Sequence, residues 1–416
     1  MTPPKAPISV IETGISIELL QKLIAKILHF QGTMTPTEIS NEVRLSIPVV
    51  NEVIQSMQAL HLIEAKGLVG NDIKGELRYA LGGAGFKWVI DALEQSKYVG
   101  PAPVPLQNFI DQIRLQTIAN ETLLRKDLVR AMSHLVISEE IFDKIGPAVN
   151  SSRSILLYGD PGNGKTSIAE AIGKAFKNSI HLPFCFEIGG QIINFFDPTI
   201  HSPIEDTAHN NTGVDTRWQL CRRPFILTGG ELTLEMLDLT FNQVAGFYEA
   251  PVHFKATNGV FVVDDFGRQR TDPQSVLNRW IVPLERRYDY LTLHTGKKFA
   301  VPFDQLAIFS TNKEPHKLAD EAGLRRLHYK LKVPTPTNED YKKIFIDAVN
   351  LVEMMFDENV YNQFFDKYYV KQGVIPAGHH PKYLINYIIS HCRFKNVKPS
   401  LTLEGLNSAW ENLHTR

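Results

Sequence analysis

Cysteine is scarce: the 416 residues hold three, Cys185, Cys221 and Cys392, widely separated and odd in number. That excludes a disulfide framework and a Cys-x-x-Cys metal site, and it fits a reducing compartment. A surplus of one charge is missing as well. With 44 Lys plus Arg against 45 Asp plus Glu the formal charge is −1, so the basic footprint of a dedicated nucleic-acid coat is absent, although a local basic patch stays open. No apolar run is long enough to span a membrane. The opening Met1-Thr-Pro-Pro-Lys-Ala-Pro7 lacks the basic-then-apolar layout of a secretion signal, so a cytoplasmic protein is expected. Internal repeats, low-complexity tracts, a serine-protease constellation and a nuclease carboxylate cluster are likewise not found.

What is present suits a folded protein of two or three domains: 43% hydrophobic and 21% charged residues, with 27 Gly and 24 Pro. Residues 1–14 are Pro-rich and are expected to be flexible. Leu20, Leu23, Ile24, Ile27 and Leu28 then repeat at helical spacing, which predicts a helix over about Ile17 to Phe30. Thr35 to Glu38 reads as a capping box with Pro36 at the first helical position. A third helix is expected from Pro48 to Leu60. Two strand-like stretches, Leu62 to Leu68 and Glu76 to Leu81, flank the turn Gly70-Asn-Asp-Ile-Lys-Gly75.

Three helices and a hairpin resemble a winged-helix domain, assigned to residues 15–97. In DNA-binding members the third helix needs donors for phosphates and bases. Here that helix has no Lys or Arg, and residues 15–95 carry seven Lys plus Arg against nine Asp plus Glu. Protein docking is therefore favoured over DNA binding. Gly100-Pro-Ala-Pro-Val-Pro105 reads as a stiff connector within residues 98–106. Residues 106–150 read as mostly helical. From Ser154 buried strands alternate with helices, which predicts an α/β domain over 107–333 with a parallel sheet covered on both faces. After Pro334 and Pro336 the pattern is helical again, starting at Thr337-Asn-Glu-Asp340, and 334–416 is assigned as a small helical lid.

The strongest chemical signal is Gly159-Asp160-Pro161-Gly162-Asn163-Gly164-Lys165-Thr166, a full match to the phosphate-loop pattern, lying between the apolar strand Ser154–Tyr158 and an amphipathic helix. Glycines let the backbone wrap phosphates, and the helix N-terminus, with Ser167 in its first turn, adds partial positive charge. Lys165 is expected to reach the terminal phosphates of ATP and Thr166 to hold Mg2+. About a hundred residues on, Gly259-Val-Phe-Val-Val-Asp264-Asp265 is a strand ending in two acids. Asp264 is the expected magnesium ligand and Asp265 the base for the attacking water.

On these residues the chain resembles an AAA+ ATPase, a P-loop NTPase with a three-layer αβα domain and a helical lid, over about residues 120–400. The resemblance makes Asn312, closing Phe309-Ser-Thr-Asn312, the sensor-one residue that orients water. It makes Arg325 or Arg326, in Asp320-Glu-Ala-Gly-Leu-Arg-Arg-Leu-His328, the arginine finger offered to a neighbouring subunit. Gly378-His-His-Pro-Lys-Tyr-Leu384 is similar to the sensor-two helix start, with Lys382 in the nucleotide-facing role. Residues 284–302 read as a hairpin around Thr295-Gly296. Such a hairpin before sensor one is similar to the branch that includes MoxR-type chaperones and magnesium-chelatase subunits, and it implies a tip, His294 to Lys298, facing a ring's channel. The enhancer-binding activators' Gly-Ala-Phe-Thr-Gly-Ala loop is absent, so contact with a sigma factor is not expected.

Two departures matter. Asp265 stands where Glu is commoner, so hydrolysis could be slow, and Lys382 stands where Arg is commoner. The interval from Lys165 to Asp264 is long and implies an insertion. Within it Phe184–Phe196 reads as a hairpin about Gly189-Gly190, and residues 200–216 as a polar stretch with His201 and His209 at the surface. Arg217, Arg222 and Arg223 beside Trp218 are read either as a contact to a substrate or a neighbour's nucleotide or as a solvated face. The function expected from the whole is ATP hydrolysis by a homo-oligomer, a ring, that remodels or assembles protein partners. The alternatives are a DNA-associated ATPase and a nucleotide-gated scaffold with slow turnover.

Overall fold

Residues 2–68, 76–204 and 213–414 are described in a computed structural model of the chain. The expected turn at 70–75 and His209 lie outside them. The central sheet has five strands: β1 (Ile155–Tyr158), β2 (Phe225–Thr228), β3 (Val260–Val263), β4 (Leu306–Thr311) and β5 (Tyr329–Lys332). All pairings are parallel, in the order β5-β1-β4-β3-β2. Because side chains alternate along a strand, each strand feeds two cores. Ile155, Leu157, Val260, Val262 and Ile308 pack on Ile168 and Ile172 of the helix Lys165–Ala175 and on Val149 of the helix Glu139–Asn150. Leu156, Phe261, Val263 and Phe309 face the other way, onto Val276, Leu277 and Trp280. A sheet covered on both faces explains the unbroken apolar runs in the sequence.

Before this domain lie the helices Ile17–Gln31, Pro36–Val43 and Ile47–Ala59, the antiparallel strands Ile63–Leu68 and Leu77–Leu81, and the helix Gly83–Gln95. Thr35 and Glu38 form the reciprocal capping box, with Pro36 at the helix start. The helix Ile47–Ala59 buries Val49, Val50, Val53, Ile54 and Met57 and exposes Asn51, Glu52, Gln55 and Gln58. Its outer face is therefore polar to acidic.

The Pro-rich segments on either side are held in place. Pro4 and Ala6 hydrogen-bond through the backbone to Asp215 and Gly213, and the Val10 N–H donates to Glu52 at 2.8 Å. In the connector the Ala102 N–H donates to Val43 O at 2.7 Å. Val104–Pro105 pairs in parallel with Phe186–Glu187 at the edge of a second sheet. The other strands of that sheet are Cys185–Ile188, Gln191–Asn194, Phe247–Glu249 and Thr240–Asn242. Proline prefers extended backbone, which an edge strand uses without needing its missing N–H.

The insertion thus carries a sheet with its own core, and the hairpin Tyr288–Thr292/Lys298–Pro302 joins it through Leu291, Phe299 and Val301. At the hairpin tip residues 294–298 are exposed, while the His294 ring stacks on Phe241 at 4.3 Å and its backbone N–H donates to the Tyr248 hydroxyl at 2.9 Å. His201 differs from expectation. It is 1% exposed, stacks on Phe195, and its Nε2 lies 2.8 Å from Lys255 O, so it belongs to the core.

The arginine cluster is mostly internal. Arg223 bonds Glu121 at 2.6 Å and the carbonyls of Gln116 and Asn258, and only Arg222 is exposed. Arg217 forks onto Asp215 at 2.8 Å and donates to Pro103 O and Thr13 O, so one guanidinium joins the insertion, the connector and the first helices. Arg217→Met leaves Asp215 as an unpaired buried charge and should lower unfolding free energy by about 3–5 kcal/mol in urea titration. The pair replacement Arg217→Met with Asp215→Leu should cost less than the single change. A smaller loss from the single change would show that the pair does not carry this junction.

At the C-terminal end, the helices Asn338–Asn350, Glu358–Phe365, His379–Phe394 and Leu403–Leu413 enclose a separate core that includes Tyr341, Phe345, Phe364, Leu384 and Trp410. Among the described residues no helix is long and apolar enough to cross a membrane.

Candidate functional site

The loop from Gly159 to Gly164 leaves the C-terminal end of β1 and enters the helix Lys165–Ala175. Its three glycines all take positive φ, +140°, +78° and +85°. Two of them also make close approaches. A Cβ on Gly159 would lie 2.3 Å from Val333 O, and one on Gly162 would lie 1.9 Å from His379 Nδ1. Beside Gly164 there is open space within 4 Å. Asp160, Pro161 and Gly162 are exposed, and Ser167 is half-buried. Lys165 is buried, with Nζ donating to Gly159 O at 3.0 Å and Asp160 O at 2.8 Å. Burial pulls its ammonium below the ordinary lysine range, while Asp264, Asp265 and Asp160 pull the other way.

Strand order brings the acids to this loop. β1 and β4 are neighbours, but their crossovers leave in opposite directions, β1 toward β2 at one edge and β4 back past β1 to β5 at the other. In open parallel sheets ligands bind outside the carboxyl ends of the strands at such a reversal. β3 lies one strand beyond, and Thr166 Oγ1 donates to Asp264 Oδ2 at 2.8 Å across 98 residues of sequence. The Asp264 N–H is anchored on Thr228 O at 2.7 Å.

Asp265 is exposed and sits at φ +48°. Aspartate and asparagine tolerate this left-handed region better than longer side chains, which gives a backbone reason for the shorter acid here. Asn312, at the end of β4, donates from Nδ2 to Asp265 Oδ1 at 3.3 Å. Thr166, Asp264, Asp265 and Asn312 therefore share one end of the sheet with the glycine loop.

The remaining candidates differ in placement. Arg326 pairs with Glu285 at 3.3 Å and donates to Ala322 O. Arg325 is exposed; its backbone N–H donates to Glu321 O at 3.0 Å, and its guanidinium has no hydrogen-bond or ion-pair partner among the described residues. Lys382 is also exposed. From the C-terminal helices His379, one turn before Lys382, lies against Gly162. Next to it the Gly378 N–H donates to Asn163 Oδ1 at 3.2 Å, and Asn163 Nδ2 is buried without a partner among the described residues. Sequence reading missed His379 because Gly378-His379-His380-Pro381-Lys382 offers several basic groups on one turn. Which of them faces the loop depends on how the lid docks.

The donor set fits magnesium and a polyphosphate. A hydroxyl and a carboxylate converge as hard oxygen ligands, and Mg2+ characteristically takes one or two carboxylates plus phosphate oxygens and water. Backbone N–H groups around the three glycines and the ammonium of Lys165 suit the phosphates.

Residues 337–412 match a family model described as "Domain of unknown function (DUF8689)". No curated protein matches the chain. Over 68% of this chain and 97% of the other, the structure is similar to domain III of the replication initiation protein DnaA from Thermotoga maritima, at 12% identity and a TM-score of 0.38. It is similar to NtrX from Brucella abortus over 69% of this chain and 58% of that one, at 14% identity and a TM-score of 0.38. A RuvB mutant from Thermotoga maritima is similar over 67% of this chain and 71% of its own, at 12% identity and a TM-score of 0.39. These are distant structural similarities, and the functional reading rests on the residues themselves.

Proposed function

We propose that the chain is a magnesium-dependent ATPase of the AAA+ type that works as a homo-oligomer on a protein partner. The observation that carries this is the 2.8 Å contact between Thr166 and Asp264, which joins a glycine loop able to hold phosphates to a strand-end acid able to hold their metal. Magnesium bound there would neutralise charge on the phosphate oxygens. The loop glycines and Lys165 orient the triphosphate, Asp265 takes the proton of the attacking water, and Asn312 positions that water beside it. The Arg325 guanidinium, exposed and without a partner among the described residues, is the group available to a neighbour's nucleotide. The polar to acidic outer face of the helix Ile47–Ala59 suits a protein partner better than duplex DNA.

Titration calorimetry tests the core of this reading. ATP with Mg2+ should bind, and Asp264→Asn should remove most of the dependence on magnesium, weakening the metal's contribution about tenfold or more. Absence of binding heat for the unaltered protein, or an Asp264→Asn variant that binds MgATP as before, would remove the proposal. Duplex affinity that falls steeply with salt would replace the protein partner with DNA.

A further inference from the structure

The turn after β3 reads Asp264-Asp265-Phe266-Gly267-Arg268-Gln269, and two of its residues are left-handed, Asp265 at φ +48° and Gly267 at φ +98°. Aspartate tolerates this conformation, and here its surroundings also fix it. On the β4 side the holding groups belong to the end of that strand. The Phe266 N–H donates to Ser310 O at 2.6 Å, Thr311 Oγ1 donates to Phe266 O at 2.6 Å, and Lys313 Nζ donates to Gly267 O at 2.8 Å.

On the β2 side the backbone ties Asp264 N–H to Thr228 O at 2.7 Å and Arg270 N–H to Gly230 O at 3.3 Å, and one half-buried side chain, Gln269, adds the side-chain tie. Gln269 Oε1 accepts the Gly267 N–H at 2.8 Å, while Nε2 donates to Asp264 O at 2.8 Å and to Gly229 O at 3.3 Å. One primary amide thus satisfies three backbone groups: both ends of the acid turn and the residue after β2. A primary amide both accepts and donates. A methionine of the same reach does neither, and a glutamate keeps the acceptor but loses the donors.

We propose that Gln269 is a positioning residue for Asp265, keeping the acid turn in the shape that sets the carboxylate beside Asn312. The role rests on the ATPase reading above. Gln269 makes no hydrogen bond to the glycine loop or Thr166, and it holds Asp264 by the main-chain carbonyl and not by the carboxylate, so its larger effect falls on turnover.

The test uses the full chain. In nucleotide-free Gln269→Met the Gly267 amide should exchange with solvent about tenfold faster or more, because its acceptor is gone. ATP affinity by calorimetry should stay within about threefold of the unaltered protein while turnover falls about tenfold or more, the signature of an interaction used after binding. In an Asp265→Asn background the same replacement should lower turnover by less than about twofold further, since both changes act through one group. Should Gln269→Met fail to fold, Gln269→Glu carries the test: Gly267 stays protected, and turnover still falls because the Asp264 and Gly229 carbonyls have lost their donor. Unchanged exchange in Gln269→Met, unchanged turnover, a loss confined to affinity, or an additive effect with Asp265→Asn would each overturn the role. An unaltered protein that neither binds nor hydrolyses ATP would instead remove the ATPase reading, and this role with it.

Discussion

Arg325→Ala should lower ATP turnover about a thousandfold or more while nucleotide binding by calorimetry persists, because an arginine supplied to the transferring phosphate stabilises charge that appears only in the transition state. The neighbouring Arg326 should behave differently. Its guanidinium is engaged within its own chain, by Glu285 and the Ala322 carbonyl, whereas the Arg325 guanidinium reaches solvent with no partner among the described residues. Arg326→Ala is expected to cost stability more than turnover. If the finger acts between subunits, turnover per subunit rises with protein concentration. Mixing Arg325→Ala with Asp265→Asn should also regain activity that neither variant has alone, since some junctions then combine an intact Asp265 with an intact Arg325. A larger kinetic loss for Arg326→Ala, or turnover independent of concentration, would count against the assignment.

The second large effect is expected at Asp265. Asp265→Asn keeps the size, the tolerance of left-handed backbone and a partner for Asn312, but it loses the ability to accept a proton. Phosphate release should therefore fall about a hundredfold or more with ATP affinity nearly intact. Asp265→Glu separates reach from backbone. If the short acid limited the reaction only by its missing methylene, glutamate would accelerate it. At φ +48° the longer side chain is instead expected to cost about 1 kcal/mol or more in backbone strain and to slow phosphate release. A faster Asp265→Glu enzyme would show that the turn adapts and that reach was limiting.

Much of this molecule could be read from local rules. Alternating buried strands and amphipathic helices lead to an α/β sheet, and the five parallel strands are there. The Thr35–Glu38 capping box and the hairpin about Gly189-Gly190 were legible for the same reason: each depends on residues within a few positions of one another. The glycine loop named its own members, since its pattern encodes a backbone path.

Where contacts span the chain, local pattern was silent or misleading. Arg217 and Arg223, read as a solvated face or as a contact to substrate or nucleotide, are internal ties, because a guanidinium paired with a carboxylate and with carbonyls can be buried, and most of those acceptors come from residues far away in sequence. His201 entered the core for the same reason, and the Pro-rich connector became an edge strand because a partner strand was waiting. The sequence by itself determined which residues can wrap phosphate and which acids can hold a metal, since those capacities belong to side-chain chemistry and to glycine's conformational freedom. Only the tertiary structure decided that Thr166 and Asp264 meet, that His379 lies against Gly162, and that the Arg325 guanidinium has no partner among the described residues. Strand order, lid docking and burial are products of the whole packed chain, and no short stretch of it contains them.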